Sequence, residues 1–521
     1  MVRKTRLKRS LLLGAILLGL LSAPLSTLAQ ESTHFKVAPY LQNPAPNAMT
    51  LRWVSYSRSP AVLSCFLGAQ RVSQNQVLGR VADSLDYTDW EKASFPSDVK
   101  PVGFFYSQRV SGLQAKQAYR YLVEQDGQTF EGHFRTAPTP DRSVRIVAYS
   151  DCETEPESRG TAVKWEPSST SPKNPERTYL VDQSVGYQAN LDAIRVRKPD
   201  LIVIAGDIVE SGGEQRDWDE FWNHNAPGQP GATGIASEVP ILAAVGNHEY
   251  FAGPKNGGYQ GLASERAVSK YLSYFDVPSN QAKDTRHHGR YARLDYGPVT
   301  LITLDGCNGL PHQSSSDTNF YLSAPESAAP DFNPGSEQYR WLEAQLAEVD
   351  KSSRFVFVCF HHCPASSGVH AAPPGQGRNQ DPQSSQPLRA LFPLFARYRV
   401  DALLTGHDEM MERSEVAIGN YKLQVFDVGI AGDGLRGPSR DNPERRFLAH
   451  TDSPEIWQNG VLKDGGKHYG HLEIDVKTTA DKWQVTFTPV YIFPVFAADG
   501  QLLRFERRVY PDRLTLSSQR N

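Results

Sequence analysis

Cysteine is scarce in this chain: five in 521 residues, an odd count and far too few for a disulfide framework. At least one thiol is free or intermolecular. Cys359 and Cys363, separated by Phe360-His361-His362, match no zinc-ribbon spacing. An excess of basic charge is missing as well. The 55 Lys and Arg face 58 Asp and Glu, which removes the electrostatic footprint of a nucleic-acid binder. No Gly-x-Ser-x-Gly elbow offers a serine nucleophile, and no internal repeat is visible. Beyond residue 30 there is no apolar run long enough to span a bilayer. With 39% hydrophobic and 22% charged residues, the chain is too apolar and too evenly charged for disorder. It is also long enough to bury a large core without staples.

The first thirty residues have a different character. Arg3, Lys4, Arg6, Lys8 and Arg9 precede the apolar run Leu11–Leu21, and Thr27-Leu28-Ala29 places small residues before Gln30. This pattern predicts a secretory signal peptide over residues 1–29, cleaved after Ala29, and hence a secreted or periplasmic protein. The apolar core is short of the roughly 20 residues that cross a membrane. Its removal leaves 50 basic against 58 acidic side chains, a mildly acidic mature chain with no membrane span.

Residues 35–137 read as all-β. Met49–Val54 and Tyr119–Val123 alternate, and Asp126-Gly127 marks a hairpin. Several short strands in about 100 residues suggest a β-sandwich. Ala137-Pro138-Thr139-Pro140-Asp141 is the linker. A second domain, 142–500, follows. Short continuous apolar runs appear there at 144–149, 201–205, 241–245, 299–304 and 355–360, as in strands buried on both faces. Tyr339, Leu342, Leu346 and Val349 fall on one helix face. Stretches rich in Ser, Pro and Gly at 155–175, 225–237, 308–335 and 364–387 read as long loops.

Polar residues collect where the apolar runs stop. The ends read Ser150-Asp151-Cys152-Glu153, Gly206-Asp207, Gly246-Asn247-His248-Glu249, His361-His362 and Gly406-His407-Asp408-Glu409. Any one of them is explained by turn or capping chemistry. Five in succession, each behind a buried strand where α/β sheets bind ligands, form a metal-site inventory.

This order of motifs resembles the calcineurin-like metallophosphoesterase superfamily and, within it, the purple acid phosphatases. Trp218-Asp219-Glu220-Phe221, Tyr296-Gly297-Pro298-Val299 and Trp341-Leu342 are similar to the same family. Thr50-Leu51-Arg52-Trp53 looks like its N-terminal fibronectin-III-like module. The resemblance implies an all-β sandwich followed by a four-layer α/β/β/α domain with two divalent metal ions, drawn from Mn, Mg, Ca, Fe or Zn. It implies Asp207 as the bridging carboxylate and Asp151 on the first metal. Asn247, His407 and one of His361 and His362 would hold the second. His361 is preferred, because His370 then falls nine residues on, where the family has a substrate-contacting histidine. His362 becomes a phosphate contact or an outer neighbour. His248 would contact phosphate or protonate the leaving oxygen, with help from His370.

The chain departs from the family at the first metal. The tyrosine expected three residues after Asp207 is Glu210, and the second histidine of Gly-His-x-His is Glu409. The reading is a colourless site with Glu409 as a ligand and a preference for hard cations. Glu153 and Glu210 are taken as solvated or outer groups. The activity implied is hydrolysis of phosphate esters by a metal-bridging hydroxide, monoesters first. A phosphodiesterase and a degenerate non-catalytic binding module are the alternatives.

Overall fold

The computed structural model describes residues 34–161, 163–165, 177–179, 181–229, 231–307, 329–349, 353–375, 377–458, 461–479, 482–497, 499 and 501–520. The segment read as a signal peptide lies outside them.

Two antiparallel sheets pack face to face at the N-terminus. One joins, in order, Phe35–Ala45, Ala48–Ser55, Phe104–Ser111 and Arg80–Val81. The other joins Gln70–Val77, Ala61–Leu67, Ala118–Gln125 and Gln128–Arg135. Alternation explains both faces of Ala48–Ser55. Met49, Leu51 and Trp53 point into the sandwich core, where Trp53 stacks on Tyr106 at 5.1 Å. Arg52 points the other way and donates to the Tyr274 carbonyl of the second unit at 3.2 Å. The hairpin forms at Asp126-Gly127, both at positive φ, between the paired Gln125 and Gln128.

The rest of the chain builds two seven-stranded sheets. The first runs Ile241–Ala243, Leu201–Ile204, Val144–Tyr149, Gly470–Thr479, Lys482–Phe496 and Leu502–Val509, with Leu514–Ser517 also on Lys482–Phe496. The second runs Ala292–Tyr296, Val299–Thr303, Phe355–His362, Ala402–Gly406, Tyr421–Val428, Met411–Ile418 and Arg445–Leu448.

Four layers follow from which residues pack together. Ile146 and Ala148 share a core with Leu301, Phe357 and Leu404 of the facing sheet. Their neighbours Val147 and Tyr149 pack on Tyr187, Leu191, Trp218 and Phe221, from helices Gln183–Arg197 and Gln215–Asn225. On the far side, Ile302, Val358 and Leu403 pack on Leu342, Leu346, Leu394 and Phe395, from helices Glu337–Ala347 and Phe392–Tyr398. The continuous apolar runs therefore face helices on one side and a second sheet on the other. Ser336 caps helix Glu337–Ala347 by accepting from Tyr339 N at 3.1 Å, and Val349 lies past its end.

Glu473 ties a helix to the first sheet. It accepts from Arg197 Nε at 3.0 Å and from Arg507 Nε at 3.0 Å. Burial pushes its carboxyl up, but His471 and Arg507 together hold it down at about 2, against an ordinary value of 4.5. The folded value is the lower one, so this contribution is present above pH 4.5 and is lost as pH falls through 2. Glu473→Gln is expected to destabilise at neutral pH, and its gap from wild type should narrow by roughly 2 kcal/mol between pH 6 and pH 3. Urea unfolding at the two pH values measures this. A constant gap would show that the arginines do not depend on its charge.

Candidate metal centre

Strands Val144–Tyr149, Leu201–Ile204, Phe355–His362 and Ala402–Gly406 all stop at one edge of the two sheets, and the chain turns sharply there. Asp151, Glu153, Asp207, His407 and Glu409 have φ of 54°, 29°, 48°, 79° and 50°. Five side chains in the left-handed region within one site is backbone strain stored where function sits. Glycine makes the close approaches. A Cβ on Gly206 would lie 2.8 Å from Gly246 Cα, and one on Gly406 would lie 2.1 Å from Asp151 Oδ2.

Backbone bonds knit the turns together. Cys152 N and Glu153 N donate to the Asp207 carbonyl at 3.1 and 3.2 Å, and His407 N donates to Asp151 Oδ1 at 2.9 Å. Glu249 has the widest reach. Its buried carboxylate accepts from Gly246 N, Ile208 N and Asp207 N at 2.7, 2.8 and 3.0 Å.

Two ligand groups share Asp207. Asp207, His361 and His407 offer atoms within 4.8 Å of one another, as do Asp151, Glu153 and Asp207. The nitrogen-rich group is oriented from outside. His361 Nδ1 donates to the Ala205 carbonyl at 2.9 Å, so Nε2 faces Asp207 Oδ2 at 2.6 Å. His407 Nε2 donates to the Gln383 carbonyl at 3.0 Å, which turns Nδ1 toward His361 Nε2 at 3.2 Å. Such outer bonds fix the tautomer a cation requires. Asn247 Nδ2 donates to Tyr259 Oη at 3.2 Å, and its buried Oδ1 has no hydrogen-bond partner among the described residues.

The charges fit a cation. Burial opposes a charge on His361, but Asp207 beside it raises the imidazole to about 9. Burial raises Asp151 to about 6, eased by His361 and reinforced by Asp207. Burial, then Asp433, pushes Glu153 well above the ordinary carboxylate range. Three buried carboxylates beside two converging histidine nitrogens and an orphaned amide oxygen form two sets able to bind metal, one oxygen-rich and one mixed.

The expected residues are thus brought to one place. His248 also lies here: Nδ1 donates to the Glu210 carbonyl at 2.6 Å, and Nε2 is 3.3 Å from Glu153 Oε1. His370 stacks on His407 with ring centroids 3.9 Å apart, and Asp381 Oδ2 accepts from its Nδ1 at 2.6 Å. His362 is buried 4.2 Å from the His407 ring, and neither of its nitrogens has a partner among the described residues.

Two placements bear on the expected roles. Glu153 is not solvated. It is buried, and it belongs to three of the four ligand groups found among the described residues. Its left-handed turn and the bond from its N–H to Asp207 aim the carboxylate inward. Glu409 groups with Glu153 and Asp433, and Arg436 Nη2 binds its Oε1 at 2.5 Å. Sequence reasoning missed Asp433, Arg436 and the clamp made by Glu249. Of these, only Glu249 carried a signal, as the last residue of Gly-Asn-His-Glu.

The family model for calcineurin-like phosphoesterases matches residues 145–409. Among curated relatives, the probable inactive purple acid phosphatase 24 of Arabidopsis thaliana is 23% identical over 373 residues, covering 68% of this chain and 48% of its own. The acid phosphatase of Aspergillus ficuum is 25% identical over 369 residues, covering 60% and 55%. The chain spans about half the length of the curated relatives it matches. Purple acid phosphatase PPD1 from yellow lupin seeds shares the fold, with a TM-score of 0.57 at 16% identity over 90% of this chain and 74% of that one.

Proposed function

The chain belongs to the calcineurin-like phosphoesterase family, and from that membership we propose that it hydrolyses phosphate monoesters at a two-cation centre built on Asp207. The observation that carries this reading is that Asp207 belongs both to the carboxylate group and to the histidine group. Asp151 and Glu153 would hold one cation with Asp207, and Asn247, His361 and His407 would hold the other. The oxygen-rich group favours Mn²⁺, Mg²⁺ or Ca²⁺. When bound, such ions supply Lewis-acid neutralisation of phosphoryl oxygens and acidify water.

The chain's own groups do the rest. His361 and His407 are held in fixed tautomers by the Ala205 and Gln383 carbonyls. His248 is held by the Glu210 carbonyl with Nε2 facing the site, where it can carry a proton to the leaving ester oxygen. Cys152 is no nucleophile, because its thiol points at the Ile208 carbonyl at 3.4 Å and burial pushes it up. The basic, apolar and small-residue pattern of residues 3–29 supports export.

The test is the full chain, stripped by a chelator and reloaded across Mn²⁺, Mg²⁺, Ca²⁺ and Zn²⁺, against an aryl phosphate monoester and a bis-aryl diester. Monoester turnover should disappear on stripping and return with two ions per chain. Diester turnover alone would make it a phosphodiesterase, and turnover of neither ester by the two-ion form would end the reading. In the same assay, His248→Ala is expected to slow turnover about a hundredfold while metal content stays at the wild-type value. Equal loss of metal and rate would make His248 a ligand instead.

A further inference from the structure

Glu409 stands where the family's histidine would, beside Glu153 and Asp433, with Oε2 buried and unpartnered among the described residues and its other oxygen turned to an arginine. It does not group with Asp151 and Asp207. One carboxylate oxygen and its main-chain carbonyl are both taken by Arg436, through Nη2 at 2.5 Å and the backbone N–H at 3.0 Å. Arg436 Nη1 reaches His370 Nε2 at 3.4 Å. His370 in turn is held by Asp381 and lies on His407. A chain of contacts, Asp381–His370–Arg436–Glu409, therefore runs alongside the site. One end rests on the histidine group. The other rests beside Glu153, which belongs to the carboxylate group.

The Arg436 side chain is 44% exposed, while the Glu409 side chain that anchors it is only 4% exposed. It thus sits between the two ligand groups and faces outward, in surroundings made acidic by Glu153, Glu409 and Asp433. A phosphoryl group lying across both ligand groups would present its remaining oxygen to that position. Guanidinium is suited to this task, because its planar fork matches phosphate oxygens and keeps its charge at any working pH.

We infer that Arg436, tethered by Glu409 and His370, reads the outer phosphate oxygen and selects monoesters over diesters. This rests on the phosphoesterase reading above. A monoester has three unsubstituted oxygens, so with two facing the cations one charged oxygen remains for the guanidinium. A diester has two and leaves it none, only a second ester group. Glu409 is then the anchor that positions the arginine.

The experiment uses the full, two-ion protein and reads phosphate binding separately from turnover. Inorganic phosphate is titrated by calorimetry, and KM and kcat are measured for the aryl monoester and the bis-aryl diester. Arg436→Ala should weaken phosphate binding and raise the monoester KM about ten- to a hundredfold, the loss expected for charge-assisted bonds. Its kcat should change less, and its metal content and diester KM should stay near wild type. Arg436→Lys should recover only part of the loss, because it restores charge without the fork. Glu409→Gln should move phosphate binding in the same direction with two ions still bound.

Unchanged phosphate binding in Arg436→Ala would overturn the inference, as would loss of an ion in Glu409→Gln. Failure of the wider reading is distinct, because it shows in the wild type as no turnover of either ester.

Discussion

Asp207→Ala will abolish turnover and empty both cation positions while the chain stays folded. Asp207 is the single residue common to the carboxylate group and the histidine group, so its removal subtracts a donor from each. The outer partners of metal ligands typically cost ten- to a hundredfold when removed. A carboxylate serving both ions should cost at least about a thousandfold. The fold is expected to survive, because the Asp207 main chain still accepts from Cys152 and Glu153. Asp207→Asn is the sharper variant. It keeps an acceptor for His248 N, now at 2.9 Å from Oδ1, and replaces Oδ2 with an NH₂ that carries no charge and cannot ligate a cation. Activity, metal stoichiometry and melting temperature should be measured on the same preparations. Near-native turnover in either variant would refute a shared carboxylate at the centre.

Glu249→Ala will destabilise the metal-free protein by about 3–5 kcal/mol. The side chain is buried and accepts three backbone N–H groups, two from the turn carrying Asp207 and one from the turn before Asn247. Each orphaned buried donor costs roughly 1–3 kcal/mol, reduced where the turns relax. Glu249→Gln should cost less, since one amide oxygen still accepts, although its NH₂ faces a backbone donor. Urea unfolding in the presence of a chelator separates this effect from metal loss. Stability within about 1 kcal/mol of wild type would show that the turns hold their shape without the clamp.

Much of the site could be read before the fold was known, because strand ends advertise themselves. Apolar runs buried on both faces stop abruptly, and Asp151, Asp207, Asn247, His361 and His407 follow directly. The ambiguous pair His361-His362 shows where such reading stops. Strict alternation would send the two rings to opposite faces of the strand. The pairing with Ala402–Gly406 shifts register between Cys359 and His362, and both rings end beside His407, at 5.0 and 4.2 Å. His361 Nε2 then faces Asp207 Oδ2 at 2.6 Å, and an outer hydrogen bond separates the pair further: His361 is aimed by Ala205, and His362 has no such support among the described residues.

By itself, the sequence determined the layered α/β architecture behind a β-sandwich and the residue types gathered at one edge of it. Apolar period and turn chemistry are local properties, written within a few residues of one another. Only the tertiary structure decided that Glu153 is buried beside Asp151 and Asp207, that Glu409 turns to Arg436, and that Glu249 clamps two turns. Those choices depend on left-handed backbone at single residues and on bonds between distant segments, such as His407 N to Asp151, 256 positions apart. The physical reason is that a carboxylate takes its role from whichever donor or cation the fold brings within about 3 Å of it.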